Sequence, residues 1–265
     1  MSPKVAVVRT DECAEDAFHR ALKLIGEEYG SISGDITIKV GIFDKRNINY
    51  PTVQIVRSVI DSFSLSKRVF LVESDNYMGK ALERLQVWKE VFSEKVVSHN
   101  LSDDKETKLG LVCGEPIRFS KVLFKPNFLV SLHVLRTGRV GSIFKNLLGL
   151  IPDIKKDRFH GRLGTALIDI AQAVGWIDLA VIDGTYIYRG EWKEGVPIDR
   201  ERKNLLVVGR DPVAVETVGC ILVGENPLSI PALKVAKERN LGETDKDHIE
   251  ILGESIKNYV WKKSQ

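Results

Sequence analysis

Short apolar runs rich in β-branched residues alternate with amphipathic segments along the first half of the chain. The runs Lys4 to Val8, Ile36 to Phe43 and Val69 to Val72 have the length and composition of buried strands. The segments between them carry apolar residues at helical spacing, namely Ala17, Phe18, Ala21 and Ile25, and then Val56, Val59, Ile60 and Phe63. This alternation is typical of βαβ units. It predicts an α/β fold with a mostly parallel sheet and helices on both faces. A division of the chain into two α/β halves is compatible with the same pattern.

The second half shows the same alternation. Apolar positions from Leu163 to Val174 follow the helical period, and Ile177 to Ile182 is predicted to be a buried strand that stops at Asp183. Asp211 followed by Pro212 is a helix start, and the helix is expected to continue, almost wholly apolar, to Val223. We therefore expect this last helix to be covered on most of its sides.

Two segments are ambiguous. The apolar run from Val122 to Leu132 is interrupted by Lys125, Pro126 and Asn127, which predicts two short strands or one strand with a bulge. The segment from Thr185 to Asn204 contains two glycines, a proline, two tyrosines and Trp192. Because a connection of this length without a task is uncommon, a lid or a hairpin is the favoured interpretation.

Length and composition indicate a globular protein. The 265 residues, 43% of them apolar, suit a single α/β domain over 1–265, with 1–115 and 116–265 as possible sub-halves. The chain has 39 basic and 36 acidic residues, so a net charge of +3 does not by itself indicate nucleic acid. The sequence pI of about 8.6 and the basic tail from Lys257 to Lys263 are weak signals for a nucleic-acid-binding protein.

Cysteine usage and hydropathy set expectations for the cofactor and the compartment. Cys13, Cys113 and Cys220 lie far apart, so we expect no iron–sulfur cluster in this chain and three reduced thiols. Apolar runs stay well below the ~18 residues of a membrane span, and the start of the chain lacks a signal-peptide pattern. We expect a cytoplasmic protein without a membrane partner. Few Met and Cys beside abundant Ile, Val, Lys, Glu and Arg are typical of a thermophilic protein.

Polar residues interrupt the apolar segment from Gly141 to Pro152. Its Phe, Leu and Ile residues suit a short helix packed on a sheet, whereas Lys145 and Asn146 do not. Buried polar groups need partners, so these two side chains either bond to local backbone or point into a site. His160 follows shortly after this segment. A histidine can transfer a proton or bind a metal, although a lone one is more often structural.

Carboxylates follow several predicted strands. Asp44, Asp75 and Asp183 stand just past strand ends, where ligands of open α/β sheets bind. Each has an ordinary alternative: a turn is equally compatible with Asp75 and Asp183. If the site exists, Asp183 is placed to orient His160 or to join it at a metal. No His or Cys spacing indicates a metal site, so none is predicted.

Four cationic residues lie close in sequence to these polar groups. Arg136, Lys145, Arg158 and Arg162 can bind a phosphate or carboxylate through charge-assisted hydrogen bonds. The alternative for the charged stretch around Arg158 is a solvated turn. Together with Asn146 and Asp75, these residues form the candidate substrate-binding set, and His160 and Asp183 form the candidate catalytic pair.

Five motifs in order resemble the "domain of unknown function 362" family over roughly Ile36 to Gly242. They are Arg136-Thr137 after a strand, the Lys145-Asn146 helix, His160, the strand ending Asp183-Gly184, and the helix opened by Asp211-Pro212. Where that family has Lys-Pro-Asn early in the chain, this sequence has Lys39-Val40-Gly41. Many members carry ferredoxin-like cysteine clusters that this chain lacks, and the family name implies no reaction.

Two hypotheses follow. The leading one is an enzyme that binds a small anionic metabolite at the carboxyl edge of the sheet. The other is a non-catalytic ligand-binding or accessory protein for a redox or biosynthetic partner, which the ferredoxin-bearing members of the family suggest. A nucleic-acid partner is disfavoured because no base-stacking motif accompanies the basic residues.

Overall fold

An eight-stranded mixed sheet forms the centre of the fold. The structure is a computed structural model, and it describes residues 2–11, 13–138, 140–189 and 199–261. The described strands are β1 (Lys4–Arg9), β2 (Ile36–Val40), β3 (Val69–Glu73), β4 (Val96–Asn100), β5 (Thr107–Val112), β6 (Glu115–Ser120), β7 (Phe128–Arg136), β8 (Leu179–Arg189), β9 (Asp199–Gly209) and β10 (Glu250–Gly253). The described α-helices are α1 (Ala14–Ile25), α2 (Val53–Asp61), α3 (Ala81–Leu85), α4 (Ile143–Asn146), α5 (Leu163–Ala173), α6 (Pro212–Leu222) and α7 (Pro231–Glu238).

The strand order is β10-β1-β9-β8-β7-β2-β3-β4. Neighbouring strands are parallel except where β9 pairs with β1 and β8. The predicted α/β fold with a mostly parallel sheet is therefore confirmed. Strands from 1–115 and from 116–265 belong to this one sheet, and β5 and β6 form a separate antiparallel hairpin.

Alternate residues of the central strands pack on opposite faces of the sheet. In β8, Leu179 and Val181 belong to the core shared with α1 and α2, whereas Ala180 and Ile182 belong to the core shared with α5, α6 and α7. This follows from the two-residue period of a strand. The continuous apolar runs of the sequence thus produce strands buried on both sides, with helices covering each face.

The start of α6 agrees with its sequence. The Asp211 carboxylate accepts hydrogen bonds from the backbone N–H groups of Val213 at 2.8 Å and Ala214 at 3.1 Å, and Pro212 occupies the first turn. Val218 in the middle of the helix is fully buried. The helix cap and the burial of this apolar helix are both confirmed.

Two predicted boundaries are wrong. β8 does not stop at Asp183: it continues to Arg189 after a register shift between Gly184 and Tyr186, because β9 supplies pairing partners along this length. The run from Val122 to Leu132 forms neither two short strands nor one strand with a bulge at the proline. A 3-10 turn, Lys121–Leu123, comes first, and β7 begins at Phe128, after Pro126.

The predicted lid or hairpin of residues 185–204 is only partly described. Residues 185–189 and 199–204 belong to the antiparallel pair β8 and β9, in which Arg189 is opposite Asp199. Trp192 and the rest of 190–198 lie outside the described residues. Within the described part of the chain, no helix has both the length and the apolar character needed to cross a bilayer.

Candidate functional site

A cavity of about 250 Å³ lies where β2, β3 and β7 approach their carboxyl ends. These three strands are neighbours and run parallel, so their ends lie at one edge of the sheet. The charged and histidine side chains on its wall are Lys39, Glu73, His133, Arg136, Lys145, Lys156, Asp157 and His160. Four of these are lysines or arginines and two are carboxylates, so the lining carries an excess of positive charge.

A buried ion cluster forms one side of the cavity. Glu73 forms ion pairs with Lys39 and with Arg84, whose Nη1 lies 3.1 Å from Glu73 Oε2. All three side chains are at least 95% buried. A side chain at Gly149 would collide with Glu73 and Lys39, which explains the glycine there. Two cations share one carboxylate, so the cluster keeps a net positive charge.

Asn146, the last residue of the short helix α4, joins this cluster to the end of that helix. Its Oδ1 accepts a hydrogen bond from Lys39 Nζ at 2.8 Å, and its Nδ2 donates to the Lys39 carbonyl oxygen at 2.7 Å. The same Nδ2 lies 3.0 Å from Ser131 Oγ on β7. The side-chain amide is thus occupied by protein partners, and its structural effect is to hold the adjacent Lys145 against β2 and β7.

Glu216 on α6 holds the other end of α4. Its carboxylate accepts hydrogen bonds from the Ser142 N–H at 2.7 Å and the Phe144 N–H at 3.0 Å. Burial raises the pKa of Glu216 to about 7, although these N–H groups and Arg136 act to lower it. A buried carboxylate at a helix start therefore positions the turn that carries Lys145.

Arg136 and Lys145 differ from the other cations of the site. Among the described residues, neither side chain has a hydrogen-bond or ion-pair partner, and both are only partly exposed to solvent on the cavity wall. Burial lowers the pKa of Lys145 to about 8, and repulsion from Arg136 and Lys39 acts in the same direction. Burial also lowers the pKa of Arg136, but a guanidinium keeps its charge in proteins. The cavity thus contains two cations available to a ligand.

Lys156 and His133 complete the polar wall. Lys156 Nζ donates to Ser74 Oγ and to the Asp75 carbonyl oxygen, each at 2.7 Å, and burial lowers its pKa to about 8. His133 Nδ1 accepts a hydrogen bond from the Val134 N–H at 2.7 Å, which leaves its proton on Nε2. Burial, followed by repulsion from Arg136 and Lys39, holds the pKa of His133 well below its usual value. His133 is therefore a neutral side chain.

The structure brings together half of the site residues expected from sequence. Arg136, Lys145, Asn146 and His160 line the cavity, and His160 is exposed at its rim. Asp75, Arg158, Arg162 and Asp183 are not among the described lining residues. Their side chains have other partners.

The Asp183 carboxylate accepts hydrogen bonds from Thr52 and Thr185, and none of its described bonds is to His160. Its Oδ2 accepts hydrogen bonds from the Thr52 N–H at 2.7 Å and the Thr52 hydroxyl at 2.8 Å, and its Oδ1 accepts from the Thr185 N–H at 2.9 Å. Thr52 is the residue that precedes α2. The described contacts of Asp183 thus anchor a helix start, and they do not orient His160.

Arg158 and Arg162 form ion pairs beside the β5–β6 hairpin. Arg158 Nε lies 3.0 Å from Glu115 Oε2, and Arg162 Nη2 lies 3.1 Å from Glu115 Oε1. Arg158 also pairs with Asp153 at 2.7 Å. Their charges are compensated near the surface, which agrees with the alternative of a solvated turn.

Asp75 is buried and does not line the cavity, although the next residue, Asn76, does. Its carboxylate accepts hydrogen bonds from Lys80 Nζ at 2.6 Å, the Ala81 N–H at 2.9 Å and Asn100 Nδ2 at 3.0 Å. Burial acts to raise the pKa of Asp75, but Lys80 and the N–H donors lower it overall. The carboxylate caps α3, and only the backbone oxygen of Asp75 reaches the cavity lysine, Lys156.

The candidate set taken from the sequence did not include Lys39, Glu73, His133, Lys156 or Glu216, although Lys39 was noted as the counterpart of the family's early lysine. A signal was present for three of them: Lys39, His133 and Glu216 each interrupt an otherwise apolar strand or helix. A charged or polar residue in such a segment needs a buried partner or a ligand. For Lys156, in a charged turn, the sequence contained no signal that it would be buried.

In the described ranges, no group of three His, Cys, Asp or Glu side chains is arranged to hold a metal ion. Residues 36–221 match the model of a protein family described as "Domain of unknown function (DUF362)". None of the curated proteins compared with the chain matches it.

Proposed function

The chain belongs to the DUF362 family, whose description names no reaction, and from its cavity we propose that the protein is an enzyme that binds a small anionic metabolite through a phosphate or carboxylate group. The binding groups are the Arg136 guanidinium and the Lys145 ammonium. The location is the edge of the sheet at which β2, β3 and β7 end. A cytoplasmic location and an additional redox partner protein stay predictions.

The observation that carries this proposal is the lack of described partners for Arg136 and Lys145. Partly buried cations lose hydration, and without a counter-charge this loss is unfavourable. The nearby carboxylates have other partners: Glu73 is shared by Lys39 and Arg84, and Glu216, which attracts Arg136, accepts hydrogen bonds from two backbone N–H groups of the α4 start. Neither carboxylate therefore compensates the charges of Arg136 and Lys145 fully. An anion in the cavity would supply the missing charge and would accept hydrogen bonds from both groups.

Apolar side chains at the cavity suggest what the anionic group is attached to. Tyr77 is 64% exposed and Ile154 is 50% exposed, and both belong to the lining. The Tyr77 ring meets Phe43 edge to face, with centroids 5.3 Å apart. Exposed apolar groups beside a polar pocket are typical of ligand sites. We therefore propose a ligand with an anionic group and an apolar or aromatic body.

His160 is the proposed proton-transfer group. It lines the cavity at an exposed position, and an imidazole can donate or accept a proton near neutral pH. Since Asp183 bonds to Thr52, the imidazole has no described carboxylate that orients it in the way the sequence suggested.

Calorimetry with sulfate, inorganic phosphate and phenyl phosphate tests the binding. We expect Lys145→Met to weaken binding of all three by about tenfold or more, as for loss of a charge-assisted contact. Lys155→Met removes the same charge from an exposed position outside the lining and should leave affinity unchanged. Failure of all three anions to bind the wild-type protein would overturn the proposal. A cellular ligand that binds and is recovered unchanged would favour the non-catalytic accessory protein.

A further inference from the structure

The three lysines of the cavity have different environments. Lys39 Nζ forms an ion pair with the Glu73 carboxylate. It also donates hydrogen bonds to Asn146 Oδ1 at 2.8 Å and to the Val40 carbonyl oxygen at 2.9 Å. Lys156 Nζ donates two hydrogen bonds of 2.7 Å, to Ser74 Oγ and the Asp75 carbonyl. Lys145 Nζ has no such partner among the described residues. It is the one amine of the three that these contacts leave available to a ligand.

The surroundings of Lys145 also favour its neutral form. Burial lowers its pKa to about 8, and the positive charges of Arg136 and Lys39 add to this effect. At pH 7 about one such side chain in ten is uncharged, against about one in a few thousand for an ordinary lysine. A neutral amine next to other cations in a desolvated pocket is the arrangement in which lysine acts as a nucleophile.

Arg136 can bind an anionic group at the other end of the same ligand. It lines the cavity, lacks a described partner and stays charged at any pH near neutral. A carboxylate or phosphate bound to this guanidinium would bring an adjacent carbon atom towards Lys145. Arg136 and Lys145 thus have different chemical roles, because an arginine cannot become a nucleophile under these conditions and a lysine can.

We propose that Lys145 forms an imine with the carbonyl carbon of a ligand that carries a carboxylate or phosphate, such as a 2-oxo acid. This inference rests on the proposed anion binding and adds the substrate class and the reacting atom. The ligand therefore has three parts: an anionic group for Arg136, a carbonyl for Lys145 and an apolar body beside Tyr77.

The step involves no oxidation or reduction. The lone pair of neutral Lys145 Nζ forms a bond to the carbonyl carbon, and the carbonyl π electrons move to the oxygen, which takes up a proton. The nitrogen loses a proton, and the resulting carbinolamine then loses its hydroxyl as water after a second protonation, for which His160 is the proposed donor. The products are one iminium and one water, and the iminium draws electrons from the bonds next to the former carbonyl carbon.

Reductive trapping tests the proposal. The wild-type protein is incubated separately with pyruvate, phenylpyruvate and dihydroxyacetone phosphate, treated with sodium cyanoborohydride, and analysed by intact mass and peptide mapping. We expect a single stable adduct on Lys145 with at least one of the three probes. Lys145→Arg should abolish it, and the matched exposed variant Lys155→Arg should retain it. Melting temperatures check that both variants are folded.

A second readout is independent of trapping. An iminium makes the hydrogens on the neighbouring carbon acidic, so the wild-type protein should exchange the methyl hydrogens of pyruvate for deuterium in D₂O if pyruvate forms the adduct. Lys145→Arg should reduce this exchange to the rate without protein. Nuclear magnetic resonance follows the loss of the methyl signal.

The outcomes separate the two proposals. Absence of an adduct on Lys145 with every probe, while sulfate and phosphate still bind by calorimetry, overturns the imine and leaves the anion-binding function standing. Adducts spread over surface lysines at the same level in Lys145→Arg also overturn it. If no anion binds at all, the proposed function is wrong and the imine proposal ends with it.

Discussion

The side chain of Asn146 lies against the backbone and the ammonium group of Lys39, 107 residues earlier in the chain, through hydrogen bonds of 2.7 and 2.8 Å. These two bonds attach α4 to the interior strand β2. Since Lys145 immediately precedes Asn146, the same bonds set where the Lys145 ammonium lies on the cavity wall. The two polar residues that interrupt the apolar helix therefore have different environments: Asn146 positions the helix, and Lys145 lines the cavity.

Asn146→Ala should destabilise the protein and weaken anion binding together. The change removes acceptors and donors from a buried network, and leaving such groups unsatisfied costs about 1–3 kcal/mol. Urea unfolding measures the free energy, and calorimetry with sulfate measures the affinity. Asn258→Ala, at an exposed position, is the control and should change stability by less than about 0.5 kcal/mol. Unchanged stability in Asn146→Ala would contradict the network.

Anion affinity should depend on pH through Lys145. Its pKa in the free protein is about 8, and a bound anion favours the charged form and raises that pKa. Affinity for sulfate should therefore be nearly constant below pH 8 and should fall above it, by up to about tenfold per pH unit for each proton taken up. Sulfate is suitable because it does not titrate in this range.

Lys156 titrates near the same pH, so its contribution must be separated. In Lys145→Met the affinity should be lower and its decline above pH 8 should be shallower, because one of the two titrating ammonium groups is gone. An equally steep decline in this variant would show that Lys145 is not the linked group. Lys155→Met is the control and should reproduce the wild-type profile.

Because of Glu216, the free energy of unfolding should decrease as pH rises. Its pKa in the folded protein is about 7, above the ordinary value of 4.5, so the folded state holds more protons than the unfolded state between these values. The contribution to stability is fully present below pH 4.5 and is lost as pH approaches and passes 7. Urea unfolding of the wild-type protein and Glu216→Gln should differ in slope over this window. Parallel pH profiles would be evidence against a protonated Glu216.

Tyr77→Ala should change ligand preference and leave the anionic contact intact. Removing an exposed ring from the cavity wall should weaken phenyl phosphate by about 1 kcal/mol, a factor of roughly five, with little effect on inorganic phosphate. Competition calorimetry gives the ratio of the two affinities. Leu65→Ala removes an apolar side chain that is 66% exposed and does not line the cavity, so its ratio should equal that of the wild type. The same ratio in Tyr77→Ala would argue against an apolar ligand body.

The sequence alone determined the fold class and part of the candidate site. Apolar periodicity follows from local geometry, so the strands, the amphipathic helices and the Asp211 cap could be predicted from neighbouring residues. Lys145 and Asn146 were recognised because polar groups in an apolar helix need partners. Arg136 and His160 were also identified, and both line the cavity.

Only the tertiary structure decided which charges are paired. Arg158, Arg162 and Asp183 resembled site residues by position. Apart from Asp153, which lies near Arg158 in sequence, their side-chain partners Glu115 and Thr52 are distant in the chain, so no local pattern could reveal them. Conversely, Lys39 lies in the cavity because β2, β3 and β7 align their ends, which places its ammonium beside Glu73 and Asn146. A cation is available to a ligand only if the fold brings no carboxylate to it, and that depends on contacts between residues distant in the chain.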